Sequence, residues 1–222
     1  MSLARFIDHT ILKNTTTIAD IDKICGEAIE FSFAAVCVPP YFVQDAKKLV
    51  ENSQIKVATV IGFPFGYHHY KTKVEEARIA IEEGADELDM VMNLGAFKSN
   101  DLAYVETEIE QISSLATGKG KTLKVIIESG VLSEDEIIKC CELYKHFPVQ
   151  FLKTSTGYAD KGASVEAVRL MREHLPERIQ IKASGGIRTS EFARQLVDAG
   201  ATRLGCSASI AIVNGENGSA DY

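Results

Sequence analysis

Short apolar runs and amphipathic stretches alternate along the whole chain. The runs are rich in Val and Ile and mostly continuous, which is typical of parallel strands covered on both faces. The intervening stretches carry apolar residues at spacings of three and four, the period of a helix with one buried face. The pattern predicts eight strands, at about residues 5–12, 33–38, 55–61, 87–92, 123–127, 149–153, 179–182 and 202–206.

Each predicted strand is followed by a predicted helix, and several helix ends carry recognisable signals. Thr17 precedes one amphipathic stretch, and Ser133 with Glu136 forms a capping-box pattern before another. Gly84 follows the last apolar position of a third, as expected of a C-cap residue. Eight strand–helix units in order close most naturally as a (β/α)8 TIM barrel. A doubly wound sheet is the competing fold, but it usually needs fewer strands and a glycine-rich turn after the first one.

Composition and charge place the chain among globular proteins. Its 222 residues are 45 % hydrophobic, and they contain no run of 18 apolar residues. We expect one TIM-barrel domain over residues 1–213 and a mobile, polar and glycine-rich tail over residues 214–222. A net charge of −7 argues against general binding to nucleic acid. Five scattered cysteines indicate buried, reduced thiols, and the N-terminus lacks a signal-peptide core, so we expect a cytoplasmic protein.

Two lysines stand where predicted strands end and loops of small residues begin. Lys153 is followed by Thr-Ser-Thr-Gly, and Lys182 is followed by Ala-Ser-Gly-Gly. In a parallel barrel, the C-terminal ends of the strands carry the chemistry. An amine half inside an apolar wall is poorly solvated, so its pKa falls and its neutral form can attack a carbonyl. Either lysine taken alone fits equally well as a surface side chain lying beside a strand.

Asp89 interrupts the fourth predicted strand. Strand alternation points Asp89, Val91 and Asn93 to one side. A carboxylate facing a barrel interior costs free energy unless it is paired, and a lysine is the natural partner. The alternative to a catalytic role is an internal ion pair that only stabilises the barrel.

Small, glycine-containing loops follow the last three predicted strands. Backbone N–H groups in such loops can point at an anion, and the last two loops are the usual phosphate site of phosphosugar-binding barrels. Any tight turn uses glycine, so the prediction depends on three such loops being neighbours. The candidate phosphate-binding residues are Thr156, Gly157, Gly185, Gly186, Gly205 and Ser207.

The remaining histidines and cysteines do not form a metal-ligand pattern. Adjacent side chains such as His68 and His69 diverge, and no further ligand lies at suitable spacing, which favours a solvated loop. Cys37 has no histidine identifiable as its base and is better explained as a buried thiol. Glu128 directly follows the fifth predicted strand and fits either a polar lining or a hydrogen-bond partner for a lysine. We expect no metal site and no cofactor.

The motifs that carry these residues resemble those of the deoxyribose-phosphate aldolases, class I aldolases on a (β/α)8 barrel. The matching segments run in order over nearly the whole chain. They are IDHT at 7–10, VCV at 36–38, IGFP at 61–64, GADELDMV at 84–91, KVIIE at 124–128, FLKTSTG at 151–157, IKASGGIR at 181–188 and RLGCS at 203–207. The two lysine motifs combined with the aspartate motif form a specific signature.

The resemblance implies reversible cleavage of 2-deoxy-D-ribose 5-phosphate to acetaldehyde and D-glyceraldehyde 3-phosphate, a step of deoxyribonucleotide catabolism. By this analogy Lys153 forms the Schiff base, and Lys182 lowers the pKa of Lys153. Asp89 relays protons together with Lys182, and Asp8 hydrogen-bonds substrate hydroxyls. The iminium is an electron sink that turns the two-carbon fragment into an enamine, so no metal is needed. The implied partners are the phosphorylated sugar and acetaldehyde, with no nucleic acid or membrane; homo-oligomerisation is left open.

The chain departs from the family pattern at several positions. Tyr158 stands where some family members carry a lysine after Thr-Gly, and Pro39 stands where many have asparagine. The terminal Tyr222 leads to the hypothesis that the tail folds over the site.

Two other functions are compatible with the same residues. One is a metal-independent phosphosugar isomerase or epimerase that uses Asp89 as a general base without a covalent step. The other is a non-catalytic phosphosugar-binding protein whose lysines only neutralise the ligand.

Overall fold

The computed structural model describes residues 2–216 and 218 and shows a closed barrel of eight parallel strands in sequence order. The strands are β1 (Ile7–Thr10), β2 (Ala35–Val38), β3 (Lys56–Ile61), β4 (Glu87–Val91), β5 (Thr122–Ile126), β6 (Phe151–Lys153), β7 (Gln180–Ser184) and β8 (Arg203–Cys206). β8 pairs with β1 and closes the ring. The predicted (β/α)8 fold is confirmed, with strand ends within a few residues of those expected.

Helices follow every strand and cover the barrel. They are α1 (Ile18–Phe31), α2 (Val43–Leu49), α3 (Tyr70–Glu82), α4 (Leu94–Lys98), α5 (Leu102–Gly118), α6 (Glu134–Tyr144), α7 (Val165–His174), α8 (Ser190–Asp198) and α9 (Ser209–Asn214). Short 3-10 turns lie at Ala4–Phe6, Pro40–Phe42 and Ser129–Val131. The chain after β2 therefore begins as a 3-10 turn at Pro40 before α2.

Side-chain caps begin several helices as the sequence indicates. Thr17 forms a capping box with Asp20 at the start of α1, and Ser133 forms one with Glu136 at the start of α6. α4 was not predicted, because five residues are too few to show a helical period. Its start is fixed by Asn93, whose side-chain oxygen accepts a hydrogen bond from the backbone N–H of Ala96 at 3.0 Å.

The apolar side chains form two separate groups. The larger group fills the layer between the strands and the surrounding helices. The smaller group comprises Leu12, Cys37, Ala58 and Val60, with Phe63 packed against it, and it is contributed mainly by β2 and β3. Ion pairs that join β4 to β6 and β7, which are not its neighbours in the sheet, must cross the barrel interior. The interior therefore has an apolar side and a charged side.

The cysteines are buried and free, as predicted. No helix within residues 2–216 and 218 combines the length and the apolar content that crossing a membrane requires. Most of the predicted 214–222 tail, including Tyr222, lies outside the described residues. Gly218 is described, and its backbone N–H donates to the carbonyl of Arg188 at 2.9 Å.

Candidate active site

Asp89 lies at the centre of the charged side of the barrel, and three lysines share its carboxylate. Oδ1 accepts a hydrogen bond from Nζ of Lys124 at 2.8 Å. Oδ2 accepts from Nζ of Lys153 at 2.9 Å and from Nζ of Lys182 at 2.7 Å. Burial alone would raise the pKa of Asp89, but the three cations hold it well below its ordinary value. The lysine partner predicted for Asp89 is present, threefold.

The strand register explains why these side chains meet. Asp89 is the direct neighbour of Lys124 across β4 and β5, and Lys153 is the neighbour of Lys182 across β6 and β7. Side chains alternate between the two faces of a strand, so residues in one register layer point the same way. On β5 the register partner of Lys153 is Ile126, two residues beyond Lys124, so the two pairs lie in different rows but on the same face of the sheet. All three amines therefore point into the barrel, from β5, β6 and β7.

A second set of ion pairs lies beside Asp89 and its three lysines. Nζ of Lys182 is 2.5 Å from Oδ2 of Asp8, and Nε of Arg203 donates to Oδ1 of Asp8 at 2.7 Å. Arg203 and Lys124 both contact Glu87, at 2.9 Å and 2.6 Å. Asp8 is completely buried and faces cations with both oxygens. This geometry favours a role in holding Lys182 over the predicted contact with substrate hydroxyls.

Three members of this network, Glu87, Lys124 and Arg203, were not predicted as site residues. The signal was available, because each lies in a predicted strand or at its edge, two residues from another inward-facing position. Lys124 is separated by one residue from Ile126, and Arg203 by one from Gly205. Applying the alternation that singled out Asp89 to every strand would have marked them as candidates, and the closed barrel shows that they face inward.

The charges of the buried network do not balance. The basic members are Lys124, Lys153, Lys182 and Arg203, and the acidic members are Asp8, Glu87 and Asp89. Among these described residues, four cations would face three anions if every group were charged. Carrying one uncompensated charge in a buried site is costly, and the usual relief is a shifted pKa.

Lys153 is the member that relieves the imbalance. Burial lowers the pKa of Lys153, and the Lys182 cation lowers it further, against the opposing effect of Asp89. Lys182 is buried too, but Asp8 and Asp89 raise its pKa above the ordinary value. The attraction of Asp89 and Glu87 also outweighs the burial of Lys124 and raises its pKa. Of the three lysines on Asp89, Lys153 at the end of its strand is thus the one whose pKa is lowered.

The loop after Lys153 is held by Glu128. Glu128 has a left-handed backbone conformation, with φ of 52°. Its carboxylate accepts from the backbone N–H of Thr156 at 3.1 Å and from the Thr156 hydroxyl at 2.5 Å. Burial raises the pKa of Glu128, although the hydrogen bonds from Thr156 and the charge of Lys153 oppose the rise. The Thr156 hydroxyl, predicted to bind phosphate, is therefore engaged with Glu128 in this structure.

The glycines of the predicted phosphate site occupy two different places. Gly157, Gly185 and Gly186 have φ of 92°, 87° and 76°, the left-handed region that favours glycine. A Cβ on Gly185 would lie 3.4 Å from Cα of Gly157, so the loops after β6 and β7 lie side by side. Gly205 lies within β8, where a Cβ would come within 2.9 Å of Cβ of Ser184 and 3.2 Å of Cε of Lys182. Gly205 therefore makes room for Ser184 and Lys182.

Ser207 lies at the edge of the same end of the barrel. It is exposed, and it borders a cavity of about 260 Å³ between the β1 loop and α1. The structure thus brings the three catalytic candidates into direct contact and places the six phosphate candidates on the adjoining strand end and loops.

His69 and Cys37, which have no predicted catalytic role, have structural ones. The His69 side chain accepts a hydrogen bond from the backbone N–H of Lys71 at 3.2 Å and caps α3. Cys37 is buried in the barrel interior, and burial raises the pKa of its thiol. Within the described residues, no group of three or more His, Cys, Asp or Glu side chains is arranged to hold a metal ion.

Known proteins are similar to this chain in sequence and in fold. Residues 3–215 match the family model described as DeoC/LacD family aldolase. The deoxyribose-phosphate aldolase of Caldicellulosiruptor saccharolyticus is 49 % identical over 213 residues, which cover 96 % of this chain and 97 % of that protein. The deoxyribose-phosphate aldolase of Thermococcus gammatolerans is 50 % identical over 217 residues, which cover 97 % and 96 %.

A solved structure agrees with these matches. The tetrameric deoxyribose phosphate aldolase from Aeropyrum pernix superposes with a TM-score of 0.89 at 31 % identity, covering 96 % of this chain and 89 % of that one. The similarity therefore extends over the barrel as a whole and includes the strands that carry the charged network. The chain belongs to the DeoC/LacD family of aldolases.

Proposed function

We propose that the protein reversibly cleaves 2-deoxy-D-ribose 5-phosphate to acetaldehyde and D-glyceraldehyde 3-phosphate through a Schiff base on Lys153. The observation that carries the proposal is a buried lysine whose pKa is lowered by burial and by a neighbouring cation, at the end of a barrel strand. Membership of an aldolase family and two relatives near 50 % identity support the same reaction. Deoxyribose catabolism is the corresponding physiological context.

Lys153 acts as the nucleophile. Its neutral amine attacks the aldehyde carbon C1 of the open-chain sugar and forms a carbinolamine, which loses water to give an iminium ion. The positive nitrogen then accepts the electron pair of the C2–C3 bond. The C3 hydroxyl gives up its proton, D-glyceraldehyde 3-phosphate departs, and C1 and C2 remain on Lys153 as an enamine. Protonation at C2 and hydrolysis release acetaldehyde.

Asp89 and Lys182 move the protons of the carbinolamine step. Oδ2 of Asp89 accepts from both amines, at 2.9 Å and 2.7 Å, and so offers a path between Lys153 and Lys182 through one atom. Lys182 stays protonated because its pKa is raised, and it is the donor. Asp89 holds a proton only transiently, because its pKa is low.

The phosphate group binds at the loops after β6, β7 and β8. The left-handed glycines Gly157, Gly185 and Gly186 expose backbone N–H groups there, and the exposed Ser207 adds a hydroxyl. Thr156 contributes through the loop that Glu128 holds, and Gly205 contributes by leaving room for Lys182. Asp8 acts in this proposal by holding Lys182, whose Nζ lies 2.5 Å from Oδ2 of Asp8.

Location and assembly extend the proposal. We place the reaction in the cytoplasm, acting on the free phosphosugar, with no nucleic acid or membrane involved. The tetrameric relative supports a homo-oligomer, which sedimentation of the purified protein would test.

An isomerase or epimerase mechanism would need Asp89 as the base. Three lysines donate to that carboxylate, and its pKa is far below the range in which a general base works at neutral pH. The structure therefore favours the covalent route through Lys153.

Trapping with borohydride tests the proposal. The protein is incubated with acetaldehyde and borohydride, and the adduct is located by peptide mass. We expect an added ethyl group on Lys153 that is absent from Lys153→Leu. Turnover of the phosphosugar with no adduct on Lys153 would instead indicate an isomerase, and binding without turnover or adduct would indicate a binding protein.

A further inference from the structure

The loop after β6 already binds one carboxylate, that of Glu128. Glu128 is 5 % exposed, and it accepts from both donors of Thr156, the backbone N–H at 3.1 Å and the hydroxyl at 2.5 Å. The hydroxyl oxygen of Thr156 in turn accepts from the backbone N–H of Tyr158 at 3.0 Å. A threonine hydroxyl that binds the N–H two residues further along closes a tight turn. The Glu128 carboxylate therefore fixes the turn that contains Gly157.

This turn leaves one N–H group between two that are engaged. The N–H groups of Thr156 and Tyr158 are both used, whereas nothing in the described part of the chain accepts from those of Gly157, Gly185 and Gly186. A Cβ on Gly185 would lie 3.4 Å from Cα of Gly157, so the two loops are adjacent. Backbone N–H groups in neighbouring turns can form an anion-binding concavity. The direction of the Gly157 N–H depends on the turn that Glu128 fixes.

Lys153 is held by contacts that do not involve the Glu128 carboxylate. The backbone carbonyl of Lys153 accepts from the N–H of Ile127 at 3.0 Å. The carbonyl of the next residue, Thr154, accepts from the backbone N–H of Ser129 at 2.7 Å. Both contacts are between backbone atoms and persist when the Glu128 side chain is changed. The carboxylate therefore controls the turn at Gly157 more than the position of the amine.

We propose that Glu128 is a positioning residue for phosphate recognition. By holding Thr156, its carboxylate aligns the N–H of Gly157 with those of Gly185 and Gly186, and so sets the preference for a phosphorylated sugar. The inference rests on the proposed function, because it needs the phosphosugar bound at these loops. Thr156 acts on the phosphate through Gly157 and is not a direct ligand, since Glu128 occupies both of its donors.

The test compares cleavage of 2-deoxy-D-ribose 5-phosphate with cleavage of 2-deoxy-D-ribose, as the ratio of the two kcat/KM values. We expect Glu128→Gln to lower this ratio by about tenfold, mainly through a higher KM for the phosphosugar, because an amide has only one acceptor oxygen for the two donors of Thr156. Thr156→Val removes the hydroxyl and should lower the ratio to a similar extent. Glu134→Gln is the matched control, because Glu134 is exposed at the start of α6, and it should keep the wild-type ratio.

Two further measurements sharpen the test. Residues that act through one contact are not additive, so the double variant Glu128→Gln with Thr156→Val should show the ratio of the weaker single variant. A fall equal to the product of the two single falls would show independent action and overturn the proposal. Inhibition by inorganic phosphate needs no second sugar, and we expect its inhibition constant to rise about tenfold in Glu128→Gln.

The outcomes separate the inference from the function on which it rests. Equal losses on both sugars in Glu128→Gln, with an unchanged phosphate inhibition constant, would place the effect on the amine and overturn the positioning role alone. An unchanged ratio in both single variants overturns it as well. A wild-type protein that cleaves neither sugar overturns the proposed function. If Glu128→Gln fails to give a cooperative melting curve, the ratio and the phosphate inhibition of Thr156→Val decide.

Discussion

Two buried charged clusters in this protein differ in their ratio of basic to acidic groups. The first is the barrel network around Asp89, and the second is an isolated pair between α3 and α5. In the second, Nζ of Lys73 donates to Oε1 of Glu108 at 2.6 Å and to the carbonyl of Val91 at 2.8 Å. Oε2 of Glu108 accepts from the backbone N–H of Asn93 at 3.0 Å. Both charged side chains are completely buried.

The difference lies in the balance of charge. One lysine faces one glutamate in the α3–α5 pair, and both also bind the backbone at the end of β4. In the barrel, four basic groups share three carboxylates. Loss of a proton from one amine would remove the uncompensated buried charge. Burial thus serves two purposes in one chain. The matched pair fixes the strand end that follows Asp89, and burial lowers the pKa of Lys73 there as well. In the unmatched network, Lys153 is the lysine whose pKa falls while those of Lys124 and Lys182 rise.

Substituting the unmatched lysine gives the largest expected effect on activity. We expect Lys153→Leu to lower kcat/KM by about 10⁴-fold or more, since the other two lysines on Asp89 have raised pKa values and are poorer nucleophiles. The free energy of unfolding should stay equal or rise, because three cations then match three anions. Activity assays and urea melts check both expectations. A large loss of stability would contradict the charge count.

Breaking the matched pair between Lys73 and Glu108 should instead lower the stability of the protein. Lys73→Met leaves Glu108 buried without its cation, and we expect a loss of about 3–5 kcal/mol in the free energy of unfolding. Glu108→Leu added to Lys73→Met removes the orphaned charge, so the double variant should regain most of the loss. Urea melts of the two variants and the wild type measure this. Equal stability of the single and double variants would show that the pair contributes through packing alone.

Removing the second barrel lysine tests how the neutral amine arises. The reactive form of Lys153 is unprotonated, so the rate rises as the pH rises through its pKa. Lys182→Leu removes a neighbouring cation that lowers that pKa, so the rising limb should move to higher pH. We expect turnover at neutral pH to fall by about 100-fold or more, because the proton donor is lost as well.

A pH–rate profile compares Lys182→Leu with the wild type and with a matched control. Lys161→Leu serves as that control, because Lys161 is exposed on the same loop as Tyr158 and has no part in the network. If the rising part of the pH–rate profile of Lys182→Leu lies at the same pH as in the wild type, Lys182 does not lower the pKa of Lys153.

The fold and the central triad were accessible from sequence for a simple physical reason. Parallel strands read as continuous apolar runs, and a charge that interrupts or ends such a run is conspicuous. Asp89, Lys153 and Lys182 stand out in this way. Lys124 and Arg203 did not, because a lysine inside a strand also fits a half-exposed edge, and only the closed barrel turns both side chains inward.

Side-chain contacts across the barrel were beyond the sequence pattern. The hydrogen bond from the Tyr158 hydroxyl to the Leu12 carbonyl joins residues 146 positions apart, and no periodicity relates them. The engagement of Thr156 by Glu128 depends on the left-handed backbone at Glu128, which non-glycine residues rarely adopt. Such details come from how loops meet and not from the elements that they connect.

Lys124 offers the finest test of the charge count, because it touches Asp89 on the oxygen that Lys153 does not use. Lys124→Met leaves three basic groups for three carboxylates, and Glu87 keeps Arg203 as its partner at 2.9 Å. Asp89 then stabilises the protonated form of Lys153 more strongly, so the pKa of Lys153 should rise. We expect turnover at neutral pH to fall by about tenfold and to recover as the pH increases, with KM unchanged. A profile identical to that of the wild type would mean that direct repulsion from Lys182 sets the pKa of Lys153, and not the balance of the whole network.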